Sequence, residues 1–220
     1  MFHRTFRVLG SVLLGLCVVL TAACNQDDTG IPTAASVTGD FHHQAAAAQT
    51  STEDVVVVAD DPSGTGPAIG TVVGRSHLTR NHKGLRGNVR TSGLTPGDVV
   101  TMWFTTFQSP DDCIGACDSP PEDFPTGLGS TALGAAQIVP RSGRVALAGK
   151  LDVGDAVVFG GAFGGPVVEV FDNPLGSEVH LVIRTHGPVI PEEFDEQTSL
   201  FAGGCETNTC ENLQVAIYQP

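Results

Sequence analysis

The segment Glu178-Val-His-Leu-Val-Ile-Arg-Thr-His-Gly-Pro188 concentrates the groups able to do chemistry in this 220-residue chain. On an extended strand alternate side chains share a face. Val179, Leu181, Ile183 and Thr185 then point into a core, while Glu178, His180, Val182, Arg184 and His186 point the other way. A carboxylate, two imidazoles and a guanidinium on one face suit a metal or acid/base site. They equally suit a solvated face, or Glu–His and Arg–carboxylate pairs between neighbouring strands. Spacing limits the first reading: His180 and His186 lie about 20 Å apart along an extended strand and reach one ion only if the chain bends sharply. Glu178 and His180 are close enough to share a site, and a third ligand would come from another strand, for instance His77 or His82. Zinc asks for three or four converging ligands. Glu178, His180 and His186 are therefore candidate ligands without a metal motif, and no cofactor is expected.

Other chemistries find less support. No Gly-x-Ser-x-Gly elbow is present, serines fall mostly in turns, and most carboxylates sit in loops such as Asp111-Asp112 and Glu192-Glu193. The glycine-rich run Phe159-Gly-Gly-Ala-Phe-Gly-Gly-Pro166 follows neither the P-loop nor the dinucleotide fingerprint, and reads as a turning β connection. Aromatic residues make up 6% of the chain, too few for an extended sugar-stacking groove. The single tryptophan, Trp103, lies in Val99-Val-Thr-Met-Trp-Phe-Thr-Thr-Phe107, a strand apolar on both faces. It reads as a central strand with Trp103 in the core. No catalytic residue emerges. The formal charge of −13 excludes nucleic acid as a natural partner, since phosphate binding needs a basic surface. That acidity suits solubility at a cell surface.

The N-terminus sets the compartment. Arg4 and Arg7 precede an apolar run from Val8 to Leu20, and Thr21-Ala22-Ala23 leads into Cys24: the layout of a secretory signal over residues 1–23. A cysteine after the small residues resembles a bacterial lipoprotein signal, although Leu20 sits one position earlier than in that pattern. The resemblance implies that Cys24 carries lipid and anchors the chain to a membrane. Asn25 implies sorting to the outer membrane where there are two. The alternative is an ordinary cleaved signal and a secreted protein. Cys17 is lost with the signal. Cys113, Cys117, Cys205 and Cys210 remain, an even set that reads as disulfides in an exported protein. Four cysteines allow three connectivities; two local bridges are favoured, and a four-cysteine zinc site is the rival.

Residues 24–52 lack the apolar content to fold alone and read as a flexible tether. Residues 53–220 read as one all-β domain, a mostly antiparallel sandwich or partly open barrel with at most one short helix. Strands are expected at 54–59, 69–79, 85–91, 98–107, 134–139, 144–151, 167–171, 178–185 and 212–218. The run Thr79-Arg-Asn-His-Lys-Gly84 suits a hairpin turn, and Pro191 with Glu192 and Glu193 suits the start of a helical turn.

With these segments in order, the chain resembles a family of exported microbial proteins of unassigned function. The carrying motifs are Ser92-Gly-Leu-Thr-Pro-Gly-Asp98 with Trp103, Cys113…Cys117, the Glu178–Pro188 segment and Gly203-Gly-Cys205…Cys210. It is also distantly similar to CHRD-type β domains, without their His-x-His after the turn, where Thr101-Met-Trp103 stands instead. The resemblance implies export, a β-sandwich and a disulfide framework. The expected role is a surface binding or structural module. The alternatives are a metal-dependent protein using the Glu178, His180 and His186 face, and a carbohydrate or polymer binder using the Phe159–Pro166 loop.

Overall fold

The computed structural model describes residues 47–59, 68–113, 117, 129–159 and 167–220. The signal, Cys24, most of the expected tether, most of the loop around the first cysteine pair and residues 160–166 lie outside the described residues. Ten strands run β1 (Gln49–Ala59), β2 (Ala68–Asn81), β3 (Gly84–Thr91), β4 (Asp98–Phe107), β5 (Gly129–Ile138), β6 (Val145–Asp152), β7 (Ala156–Phe159), β8 (Val167–Val170), β9 (Glu178–Pro188) and β10 (Glu211–Tyr218). Among the described residues one α-helix, α1 (Phe194–Ser199), follows a 3-10 turn at Pro191–Glu193. The domain is thus all-β and antiparallel with one short helix, as the sequence predicts.

The strands form a single sheet in the order β6-β3-β2-β1-β10-β9-β4-β5-β7-β8. It folds over until β6, at one edge, packs against β5. Two glycines permit that approach. A Cβ at Gly149 would lie 2.5 Å from the carbonyl oxygen of Gly134, closer than any side chain tolerates. Between the layers lies one core in which Val100, Met102, Phe104, Leu181 and Ile183 are fully buried with Leu78, Leu85 and Val89.

Local chemistry sets the turns. In the β2–β3 hairpin the Lys83 amide donates to Asn81 Oδ1 at 2.7 Å, an Asx turn. Gly84 takes φ +144°, which a side chain resists. Before β4, Gly97 takes φ +92° after Pro96, as the Thr95-Pro-Gly-Asp98 turn demands.

β4 and β9 are the central pair. Every residue of β4 after Asp98 is buried, and β9 is buried except at Arg184 and Pro188. This makes Trp103 a largely buried residue, at 6% exposure. One boundary moves. β1 begins at Gln49, so Gln49–Thr52, expected as tether, are strand residues paired with Arg80–His77. Alternate polar residues pair well on a half-exposed strand, and the low apolar content of the run hid this.

Candidate functional site

The β9 row that faces away from the main core is covered rather than solvated. Its two ends meet the two disulfides, Cys113–Cys117 and Cys205–Cys210, which are the two expected local bridges. At one end His180 Nε2 donates to Glu178 Oε1 at 2.7 Å, with both residues buried. The Phe107 ring packs 5.1 Å from the His180 ring, and Phe107 in turn packs on Cys113 and Cys117. Nearby, Arg80 is buried and donates to the carbonyls of Ser177, Tyr218 and Gln219. Its guanidinium is held below its ordinary pKa by burial, offset in part by the charges of Tyr218 and Glu178.

At the middle of the row, Arg184 donates from Nε to the Phe201 carbonyl at 2.8 Å and from Nη1 to Asn212 Oδ1 at 3.0 Å. Its guanidinium stacks 4.2 Å over the Phe201 ring, and Phe201 meets Trp103 edge-on at 5.2 Å. Phe201 thereby closes a second apolar cluster of Val56, Trp103, Val182 and Val215. The segment that brings it there is anchored by Gln197. This residue is fully buried, accepts from the Ile190 amide and donates to the carbonyls of His186 and Pro188.

At the far end His186 is fully buried in a chain of hydrogen bonds that fixes its tautomer. Trp103 Nε1 donates to Thr101 Oγ1 at 2.7 Å. The Thr101 hydroxyl then donates to His186 Nε2 at 2.9 Å, and His186 Nδ1–H donates to the Gly203 carbonyl at 2.8 Å. Indole N–H is donor only and a carbonyl acceptor only, so both ends of the chain dictate the directions between them. Burial lowers the His186 pKa; the Gly203 bond opposes this and the charge of Arg184 adds to it.

These placements decide what the row can do. His180 sits opposite Thr105 near one end of β4, and His186 lies beyond the Thr185–Val100 pair at the other. Glu178 and His180 come together; His186 does not join them. His77 bonds Thr52 Oγ1 at 2.7 Å on exposed β2, across β10 and β1 from β9, and His82 lies in the β2–β3 turn. Among the described residues one group has three candidate ligand atoms within 4.8 Å of one another: His186, Cys205 and Cys210. Its sulfurs are bonded to each other, and the tautomer puts a proton on the nitrogen that faces them, 3.8 Å from Cys210 Sγ. Sequence reasoning put His186 on this row but missed Thr101, Gly203 and the second disulfide beside it. The Thr101-Met-Trp103 pattern, with a hydroxyl and an indole on one strand face, was the available signal.

The same covering segment forms one wall of a groove. Ser199–Ala202 stand across from β5, β6 and β7, enclosing about 630 Å³. Apolar side chains dominate, notably Trp103, Leu133, Leu151, Val158, Leu200 and Phe201, with Lys150 and Asp155 among the polar members. Leu133 is 36% and Leu200 54% exposed. Lys150 is ion-paired with Asp152, and Asp155 accepts from the Asp152 amide at 2.8 Å. No sequence signal marks this groove, because β5, β6 and α1 meet there only through the folding-over of the sheet.

No family model matches the chain, and neither a curated protein nor a solved structure matches it.

Proposed function

We propose that the chain is an exported binding module, held at a membrane by lipid on Cys24, which takes a small apolar ligand into the Trp103–Phe201 groove. The groove carries this reading. Its volume falls in the range of about 300–1,000 Å³ usual for small-molecule sites, and it pairs apolar walls with few polar groups. The chemically capable groups of β9 point away from catalysis, since Glu178, His180, Arg184 and His186 are each engaged by partners within the fold. The disulfides and the absence, among the described residues, of a helix able to cross a membrane are compatible with an exported domain that is not integral through helices. The polymer-binding alternative concerned Phe159–Pro166, of which 160–166 lie outside the described residues.

Trp103 is the chain's single tryptophan, so it is the one indole donor, and the Leu200 variant assigns the signal to the groove. Titration with anilinonaphthalene sulfonate should give saturable energy transfer from Trp103, reversed by a medium-chain fatty acid. Leu200→Asp should weaken binding about tenfold, equivalent to about 1.4 kcal/mol. Transfer that never saturates, or equal affinity in the variant, would reject the groove as a binding site.

A further inference from the structure

Setting aside Arg4 and Arg7, the chain has nine lysines and arginines. Arg80 and Arg184 turn inward to carbonyl groups. The rest are exposed, and all lie on β2, β3, β6 or the turns that lead into them. Arg75, Arg86, Arg90 and Lys150 project from the outer face of these strands, Lys83 caps the β2–β3 turn, and Arg141 and Arg144 precede β6. β2 and β3 contain no carboxylate.

The register sets like charges against each other. Arg75 is directly opposite Arg90, and Arg86 directly opposite Lys150. Such pairs oppose folding. Asp54 neutralises Arg75 and Asp152 neutralises Lys150, whereas no ion pair among the described residues engages Arg86, Arg90 or Arg144. Arg90 and Arg144 border an open hollow of about 410 Å³ that is also lined by Thr91 and Ser92. Acidic residues gather elsewhere: Glu192, Glu193, Asp195 and Glu196 lie in and before α1, with Glu206 in the second disulfide loop.

We propose that the outer face of β2, β3 and β6 docks on an anionic membrane surface, with Arg90 and Arg144 flanking a lipid phosphate. The inference rests on the Cys24-anchored reading for its choice of partner. Twenty-two residues, 25–46, separate Cys24 from the first described residue. At full extension they span at most about 75–80 Å. They lead into Gln49, which pairs with Arg80 at the same end of β2 as the Lys83 turn. An anchored domain therefore stays within reach of the bilayer, and the described chain enters beside the Lys83 end of this face, with Arg90 and Arg144 at its other end. An anionic surface attracts the arginines and repels the acidic residues in and before α1, which favours one orientation with α1 turned from the lipid.

The test uses the mature chain carrying Cys24→Ser, so that no acyl group contributes to binding. Sedimentation with vesicles of phosphatidylcholine and phosphatidylglycerol in equal parts should show binding that vesicles of phosphatidylcholine alone do not. Salt at about 1 M, where the screening length is about 3 Å, should abolish it. Arg86→Gln/Arg90→Gln should weaken it at least tenfold, with unchanged circular dichroism. Equal binding to both vesicle types, insensitivity to salt, or full binding by the double variant overturns the proposal. So does capture by dextran sulfate without capture by anionic vesicles. Failure of the anchor is read separately, from fractionation of the unaltered protein.

Discussion

His186 carries its pH behaviour in its bonding. The neutral ring accepts from Thr101 and donates to Gly203. A second ring proton would leave the Thr101 hydroxyl without that acceptor, next to a chain already fed by the Trp103 N–H. The folded pKa lies below the ordinary value of about 6.5, chiefly through burial. Between the two values the unfolded chain binds more protons, so stability falls as pH drops below about 6.5 and levels off below the folded pKa. Thermal denaturation between about pH 7 and pH 5 should show this loss, and His186→Asn should show less of it. An equal slope in both proteins would remove His186 from the explanation. Tyr218 gives the opposite sign at the alkaline end. Burial pushes its pKa up to about 12, against its bond to Ser76. As the only tyrosine it can be titrated by absorbance. The midpoint should lie near 12 in folded protein and near 10 in urea, and stability should decline as pH rises past about 10.

At the scale of elements, the seam between β5 and β6 depends on missing side chains. Gly149→Val would drive a branched side chain into the Gly134 backbone, at a cost of about 1–3 kcal/mol or more. Chemical denaturation would measure this as a lower midpoint with an unchanged slope. An unaffected midpoint would show that the two strands do not need this approach. The covering segment has its own tight point at Gly203, where an added Cβ would lie 1.9 Å from the Glu196 carbonyl oxygen.

These elements also show what the sequence made legible. β4 and β9 were readable because burial on both faces leaves a long apolar run in β4 and an alternation of core and chemical groups in β9. The Asn81–Gly84 turn and the helical turn after Pro191 were readable from local chemistry. The single sheet folding over on itself was not, because strand order depends on pairings far apart in the chain. The fate of the β9 row was not legible either. Alternation shows which residues share a face, and says nothing of Phe201 and the two disulfides arriving to cover that face.

For the whole molecule the governing feature is charge asymmetry. In a chain of net charge −13, the exposed cations among the described residues are confined to one end of the sheet order, β6-β3-β2. Non-uniform charge of this kind orients a domain more than it stabilises one. The proposed anchoring at Cys24 would add the energy of two acyl chains, at about 0.8 kcal/mol for each buried CH₂. The unaltered protein should therefore partition into detergent, and Cys24→Ser should release it to the soluble fraction except where anionic lipid retains it in a salt-sensitive way.

Export and anchoring at Cys24 are tested most directly by the intact mass of protein isolated from membranes of the producing cell. The predicted mass is that of residues 24–220 with a diacylated Cys24, less four hydrogens for the two disulfides. A chain that begins at Met1, carries no lipid and holds six free thiols would contradict it.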